Sequence, residues 1–294
     1  MLIQHYFETR LKMIEERLKD VLSIQDKYAA DLNDAMNYAV FSGGKRWRPL
    51  MVLAIYEMLR GVQKKPKLEA VLNAACAVEL MHNASIIHDD LPSLMDRKER
   101  RGKEAVHEKF GNAVAILAGD AMFTLAFEML ANIPDHLHAN QSIRILSKAS
   151  NSYGMIGGQV VHLVNRRKVM KINTLRYIDM KKVCALLQAS AEIACVMANA
   201  DEDTKQVLNS YALNLGLAYQ MIEDIIEDYG DTGDFDFDSE YVATSKSGYA
   251  GLLGFDKARK QVEKLLDDSL RALKAYDNNE ILIEFIQMIK DRLP

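Results

Sequence analysis

The chain has 294 residues, 49% of them hydrophobic and 27% charged, with a net charge of −4. That is enough apolar material for a large core, and the mild acidity argues against a nucleic-acid binder working through a basic field. Any anionic ligand must be held by local basic points instead. Only 5 prolines and no low-complexity linker punctuate the sequence, which therefore reads as one domain over residues 1–294. The three cysteines, Cys76, Cys184 and Cys195, lie in apolar helical stretches, the pattern of reduced core thiols in a cytoplasmic protein rather than of a disulfide framework.

The opening stretch, MLIQHYFETRLKMIEERLKD, is charged and amphipathic, unlike a secretory leader. From there, apolar residues recur at helical spacing and predict helices over 3–23, 28–41, 49–61, 68–90, 111–132, 138–166, 173–199, 203–229, 255–276 and 279–291. Gly43-Gly44, Gly61, Gly111, Asn132, Gly230 and Gly254 supply stops and starts between them. No β-branched run bounded by turns is long enough for a sheet. The longest uncharged stretch, Gln206–Ile222, carries Gln, Asn and Ser and runs into carboxylates, so no transmembrane segment is expected. The expected architecture is all-α: a single-domain bundle of long antiparallel helices around a central apolar cavity.

Three polar stretches interrupt this regularity. In SGGKRWRPLMV, the glycines Gly43 and Gly44 with Lys45, Arg46 and Arg48 precede Pro49, a residue favoured at a helix start. Cations and free backbone N–H groups at a helix N-terminus outline an anion site. In HDDLPSLMDRKERRG, the apolar helix from residue 68 runs into Asp89 and Asp90, and Pro92 disfavours its continuation. Carboxylates at a helix C-terminus face the negative end of the dipole, at a cost of roughly 0.3–1 kcal/mol each. The same thing happens in YQMIEDIIEDYGD, where Glu223 and Glu227, and Asp224 and Asp228, stack four residues apart just before Gly230. One such end is an ordinary solvated face. Two call for a cation, and oxygen donors of this kind suit Mg²⁺ completed by water and phosphate oxygens. Arg100 and Arg101 follow the first cluster at once, so carboxylate-held metal and guanidinium forks together describe a site for a diphosphate.

Six motifs in order, GGKRWRP, ELMHNASIIHDDLP, RRG, ILAGDAM, GGQ and LGLAYQ, run from about Asn37 to Arg259. In these the chain resembles the trans-prenyl diphosphate synthases, the polyprenyl synthetase family with its isoprenoid synthase fold. The resemblance implies a trans-prenyltransferase that condenses isopentenyl diphosphate with an allylic diphosphate. By it, Lys45, Arg48, His82 and Arg101 hold the isopentenyl diphosphate, while Arg100, Lys182 and Lys246 grip the allylic diphosphate. Three Mg²⁺ per site are implied, with Asp89, Asp90, Asp96, Glu223 and Glu227 as candidate ligands. Asp89, Asp90, Arg100, Lys182 and Gln220 would form the catalytic set. The residues ahead of the first aspartates set product length in this family. Here they are the small Ala84 and Ser85, implying a product longer than farnesyl, most simply geranylgeranyl diphosphate. A homodimer is implied as well.

The pattern also departs from the family. Met95 stands where the last aspartate of the first motif is expected, with Asp96 one residue later and Arg97 and Lys98 in place of further acids. Glu223 and Glu227 replace aspartates, His162 replaces the aspartate after GGQ, Val183 replaces a threonine after Lys182, and Asp234 replaces a lysine. All of these fall on the metal and allylic side, whereas the isopentenyl set is unbroken. An elongating synthase ranks first. A non-catalytic partner subunit, forming a heteromer with an active homologue, ranks next. A terpene cyclase ranks last, because it has no use for an isopentenyl site.

Overall fold

The computed structural model describes residues 2–23, 27–61, 67–166, 168, 170–229 and 248–294. Among these residues the regular structure is helical apart from one two-stranded hairpin and a short 3₁₀ turn. Backbone contacts gather them into two compact units. The first runs to Leu53 and resumes over 67–143; the second takes 54–61, 144–229 and 248–294.

The first unit contains α1 (Leu2–Leu22), α2 (Ala30–Phe41), the first half of α3 (Trp47–Arg60), α4 (Lys67–Asp90), α5 (Val106–Phe110), α6 (Asn112–Ala131) and the start of α7 (His136–Ser150). Strands β1 (Glu99–Arg100) and β2 (Lys103–Glu104) pair antiparallel between α4 and α5. α4 is apolar nearly all round and buried along most of its length, as a central helix must be. It packs on α6, and Gly119 makes the approach possible: a Cβ there would sit 2.2 Å from the His88 ring.

The second unit contains the end of α7, then α8 (Met155–Asn165), α9 (Ile172–Lys182), α10 (Cys184–Met197), α11 (Glu202–Tyr229), α12 (Tyr249–Leu253), α13 (Phe255–Leu273) and α14 (Glu280–Lys290). α13 buries Ala258, Val262, Leu266, Ser269 and Leu273, a stripe with helical spacing on an otherwise polar helix. Gly216 lets α11 approach α10, since a Cβ there would lie 2.8 Å from Cys184 Sγ. All three cysteines are buried and free.

Two expected helices are each broken in two. The segment 138–166 divides because Asn151 Oδ1 accepts the Tyr153 N–H at 2.8 Å, an Asx turn that diverts the backbone. Gly154 completes the break, where a Cβ would meet Ala149 O at 2.0 Å. The segment 173–199 divides at the β-branched Val183, between α9 and α10. By length and composition alone, α4 and α6 are both long and apolar enough to cross a membrane, which the uncharged stretches of the sequence did not single out. For α4 the apolarity belongs to the core, with 83% of its most apolar window buried. α6 is 39% buried over its window and leaves Ile116 and Leu117 exposed.

Candidate active site

In the first unit the basic loop between α2 and α3 is a backbone construction. Gly43 and Gly44 have φ of 125° and 111°, a region that L side chains rarely adopt. Gly44 is required twice over, since a Cβ would lie 2.7 Å from the Arg101 guanidinium. That guanidinium donates to Gly43 O. Arg101 reaches the loop from the hairpin, where Arg101 and Gly102 (φ 53° and 69°) form a two-residue turn with both φ positive, the type I′ pattern. Arg48, in the first turn of α3, donates from Nη1 to His82 Nε2 on α4 at 2.8 Å, and both residues are buried. A guanidinium can only donate, so a neutral His82 carries its proton on Nδ1. Lys45 is half-buried in the same loop. Arg46 does something else. It is buried against Glu79, Nη1 to Oε1 at 3.1 Å, with Asn83 also donating to that carboxylate. The loop therefore offers Lys45, Arg48 and Arg101, while Arg46 belongs to the core.

The C-terminus of α4 is closed by its own following loop. Met95 N–H donates to Asp89 O at 3.0 Å and Arg97 N–H to Asp90 O at 3.1 Å, so the orphan carbonyls of the last turn are satisfied. The Asp89 and Asp90 side chains are buried. Arg100 grips Asp90 with two parallel bonds, Nη2 to Oδ1 at 2.5 Å and Nε to Oδ2 at 3.1 Å, and approaches Asp89 at 3.9 Å. Burial raises the Asp90 carboxyl above the usual range despite that fork, with Asp89 adding repulsion. Asp96 takes a left-handed backbone, φ 52°, and its exposed carboxylate pairs with Lys98 at 3.1 Å. It is not gathered with Asp89 and Asp90. Met95 is buried at the position where the family has its aspartate. One turn earlier on α4, Ala84 is fully buried and Ser85 half-buried, its hydroxyl donating to His82 O at 2.7 Å. His88 stacks edge-on against Phe123 of α6.

In the second unit Gly158 brings α8 against the end of α9, where a Cβ would lie 2.7 Å from Lys182 N. One turn on, His162 Nδ1 sits 3.5 Å from Lys182 Nζ, both side chains buried. Asp179, three residues before Lys182 and on the same helix face, is fully buried. Burial pushes its carboxyl well above the usual range, Asp224 adds to the push, and Tyr249 and Lys182 oppose it. Asp224 in turn accepts the Tyr249 N–H at 2.9 Å and faces Gln220 Nε2 at 3.5 Å. Asp224 thus points inward, while Glu227 on the same helix is exposed. Glu223 pairs with Arg292, which lies just beyond α14 and stacks 5.3 Å over the Tyr219 ring. Burial alone would lower the Arg292 guanidinium, but Tyr219 and Glu223 more than offset it and hold the charge firmly. Asp179, Tyr249 and Arg292 were not singled out from the sequence. Lys246 and Asp234 lie outside the described residues.

Asp89 and Asp90, and separately Glu223, are carboxylates with a guanidinium seated on each group, oxygen donors of the type that Mg²⁺ takes one or two at a time beside water and phosphate oxygens. Among the described residues no three acidic, histidine or cysteine side chains converge into a ready cage.

The profile of the polyprenyl synthetase family matches residues 29–282. The chain belongs to the polyprenyl synthetase family. It is 34% identical over 286 residues to a dimethylallyltranstransferase of Fischerella ambigua, covering 94% of this chain and 79% of that protein. It is 32% identical over 298 residues to a geranylgeranyl diphosphate synthase of Cyanophora paradoxa, covering 98% and 95%. Among solved structures, an FPP/GFPP synthase from Zymomonas mobilis superposes with a TM-score of 0.86 at 30% identity over 98% of each chain. A geranyltransferase from Legionella pneumophila gives 0.85 at 27% identity, covering 99% of this chain and 98% of that one. As a polyprenyl synthetase with these relatives, the protein is a prenyltransferase. Its fold is the isoprenoid synthase fold of those neighbours.

Proposed function

We propose that this polyprenyl synthetase condenses isopentenyl diphosphate with an allylic diphosphate to give a trans product, geranylgeranyl diphosphate. The observation that carries this is the basic set of the first unit: Arg48 on His82, Lys45 in the loop that precedes Arg48, and Arg101 laid over Gly43-Gly44. These cations neutralise and orient the diphosphate of isopentenyl diphosphate, an effect worth far more in a dry, preorganised site than in water. Arg100 is assigned to the allylic diphosphate, and in taking it would release Asp90. Lys182, Lys246 and Gln220 are assigned to the same substrate. Bound Mg²⁺, held by Asp89 and Asp90 and by Glu223, would supply the positive charge that draws off the allylic diphosphate, whereas Asp96 and Glu227 would have to leave their present positions to join them. The C3–C4 double bond of isopentenyl diphosphate then attacks the resulting cation, and transfer of a proton from the condensed cation to the released diphosphate gives the trans double bond.

The small Ala84 and Ser85 ahead of the first aspartates support a product beyond farnesyl. The family profile runs through both compact units, which supports a single catalytic domain. Exposed Ile116 and Leu117 on α6, and Ile156, Val160 and Val164 at four-residue spacing on α8, support a homodimer. A second reading is a regulatory subunit. It is favoured by the altered acidic motifs; that members of the family can act in heteromers is supported by a relative from Arabidopsis thaliana, 30% identical, named as the large subunit of a heterodimeric synthase.

The test is incubation with Mg²⁺, isopentenyl diphosphate and each allylic diphosphate in turn, with products identified by mass spectrometry before and after phosphatase. Geranylgeranyl diphosphate is the expected product. Hydrocarbon released without isopentenyl diphosphate would mean a cyclase, and no turnover by folded protein would mean a partner subunit.

A further inference from the structure

The carboxylates assigned to metal meet two guanidinia, and the second comes from a segment remote in sequence from the acidic cluster. Arg292 lies at the end of the chain, after α14, and its side chain is only 6% exposed while that of Glu223 is 13% exposed. It contacts Glu223 Oε1 and stacks over the ring of Tyr219, one turn earlier on α11. An arginine is a costly residue to bury, and an apolar side chain of similar volume generally serves packing as well or better. Nor is Arg292 needed to dock the C-terminal helix. Leu282, Phe285, Ile286 and Ile289 bury the apolar face of α14, and Tyr211 donates to Leu282 O at 2.9 Å from α11. The charge therefore has a use at Glu223.

We propose that Arg292 is a resident counter-ion of Glu223 which a divalent cation has to displace, making it a positioning residue that sets the metal affinity of the second acidic cluster. The inference rests on the reading of Glu223 as a metal ligand. Mg²⁺ binds carboxylate oxygen at about 2.0–2.1 Å and gives up its waters reluctantly. A guanidinium on that same oxygen opposes it twice, by occupying the lone pairs and by like-charge repulsion in a poorly solvated site. Metal at Glu223 then becomes favourable chiefly when it arrives with a diphosphate whose charge offsets the arginine. Glutamate suits this arrangement, since its extra methylene lets the carboxylate swing between the guanidinium and a cation.

The test is Mn²⁺ binding to the full chain without substrate, read from the electron paramagnetic resonance signal of free Mn²⁺. Wild type is compared with Arg292→Gln, Arg292→Lys, Glu223→Gln and the double variant Arg292→Gln/Glu223→Gln. Arg292→Met, which keeps the apolar stem, replaces Gln if that variant does not fold. Removing the charge is expected to tighten Mn²⁺ binding by about tenfold, the order that follows from deleting a unit charge beside the site. Arg292→Lys should stay near wild type, and the gain should vanish in the Glu223→Gln background. A fall in melting temperature with unchanged or weaker Mn²⁺ affinity would overturn the proposal and leave Arg292 as a pin for the C-terminus. If Glu223→Gln also left Mn²⁺ binding unchanged, the metal reading of Glu223 itself would fall, a different failure from the first.

Discussion

The acidic ends of α4 and α11 solve one physical problem in two ways. Both place carboxylates at the negative end of a long helix, and both seat a guanidinium on one of them. At α4 the arginine is ten residues away in sequence, on a hairpin whose loop immediately recaps the helix, and it grips Asp90 through two bonds. At α11 the carboxylates diverge. Asp224 turns inward to Tyr249 and Asp179, Glu223 is held by a residue from the far end of the chain, and Glu227 is left exposed. The lesson is that an end built from local sequence is rigid and complete. One assembled from distant segments can exchange aspartate for glutamate and move its counter-ions without losing the fold.

Several variants would break or sharpen that contrast. The largest effect is expected at Asp89→Asn or Asp90→Asn, with kcat falling by about 10²–10³-fold as charge stabilisation of the leaving group is lost. Steady-state kinetics at saturating Mg²⁺ would check this. Arg100→Ala strands a buried carboxylate and should cost about 3–5 kcal/mol in urea unfolding. A cost near zero would mean that Asp90 takes up a proton in its place. Gly44→Ala forces a strained φ and pushes Arg101 aside, so about 1–3 kcal/mol of stability should go. KM for isopentenyl diphosphate should rise more than KM for the allylic substrate. Ser85→Phe, at a half-buried position with more room than Ala84, should shorten the product by one or more isoprene units; an unchanged product would place the limit elsewhere, at Phe123 or on a partner subunit.

The smallest effect is a pH dependence from Asp179. Its folded pKa lies above the ordinary value of about 3.9. Over that window the folded state keeps a proton that the unfolded chain has lost, so the contribution of Asp179 to stability is fully present below the unfolded value and is lost as pH rises through the folded value. Asp179→Asn should flatten that slope in melting temperature against pH. A slope identical to wild type would show that Asp179 titrates normally.

What could be read beforehand follows the same division. The apolar periodicity of α4, the positive-φ glycines at 43–44 and the paired arginines after the first aspartates are local signals, and in the structure Arg48 meets His82 and Arg101 meets Gly43. The breaks at Asn151–Gly154 and at Val183 were hidden because neither interrupts the apolar pattern, and an Asx turn or a single kinked residue leaves no periodic trace. Arg292 carries no local signal at all, since its partner lies on another helix. Asp179 sits in a charged helix end that reads as surface, and only its burial beside Lys182 and Asp224 reveals it. Asp96 resisted the sequence for a different reason. The one-residue offset puts it in a left-handed turn facing Lys98, a matter of backbone geometry that residue spacing does not encode.

The most direct test of the account is the Mg²⁺ dependence of labelled isopentenyl diphosphate incorporation, measured side by side for wild type and Glu223→Gln. The account expects wild type to turn over, and the variant to need severalfold more Mg²⁺ to reach half its maximal rate. No incorporation by folded wild-type protein, or two superimposable Mg²⁺ curves, would contradict it.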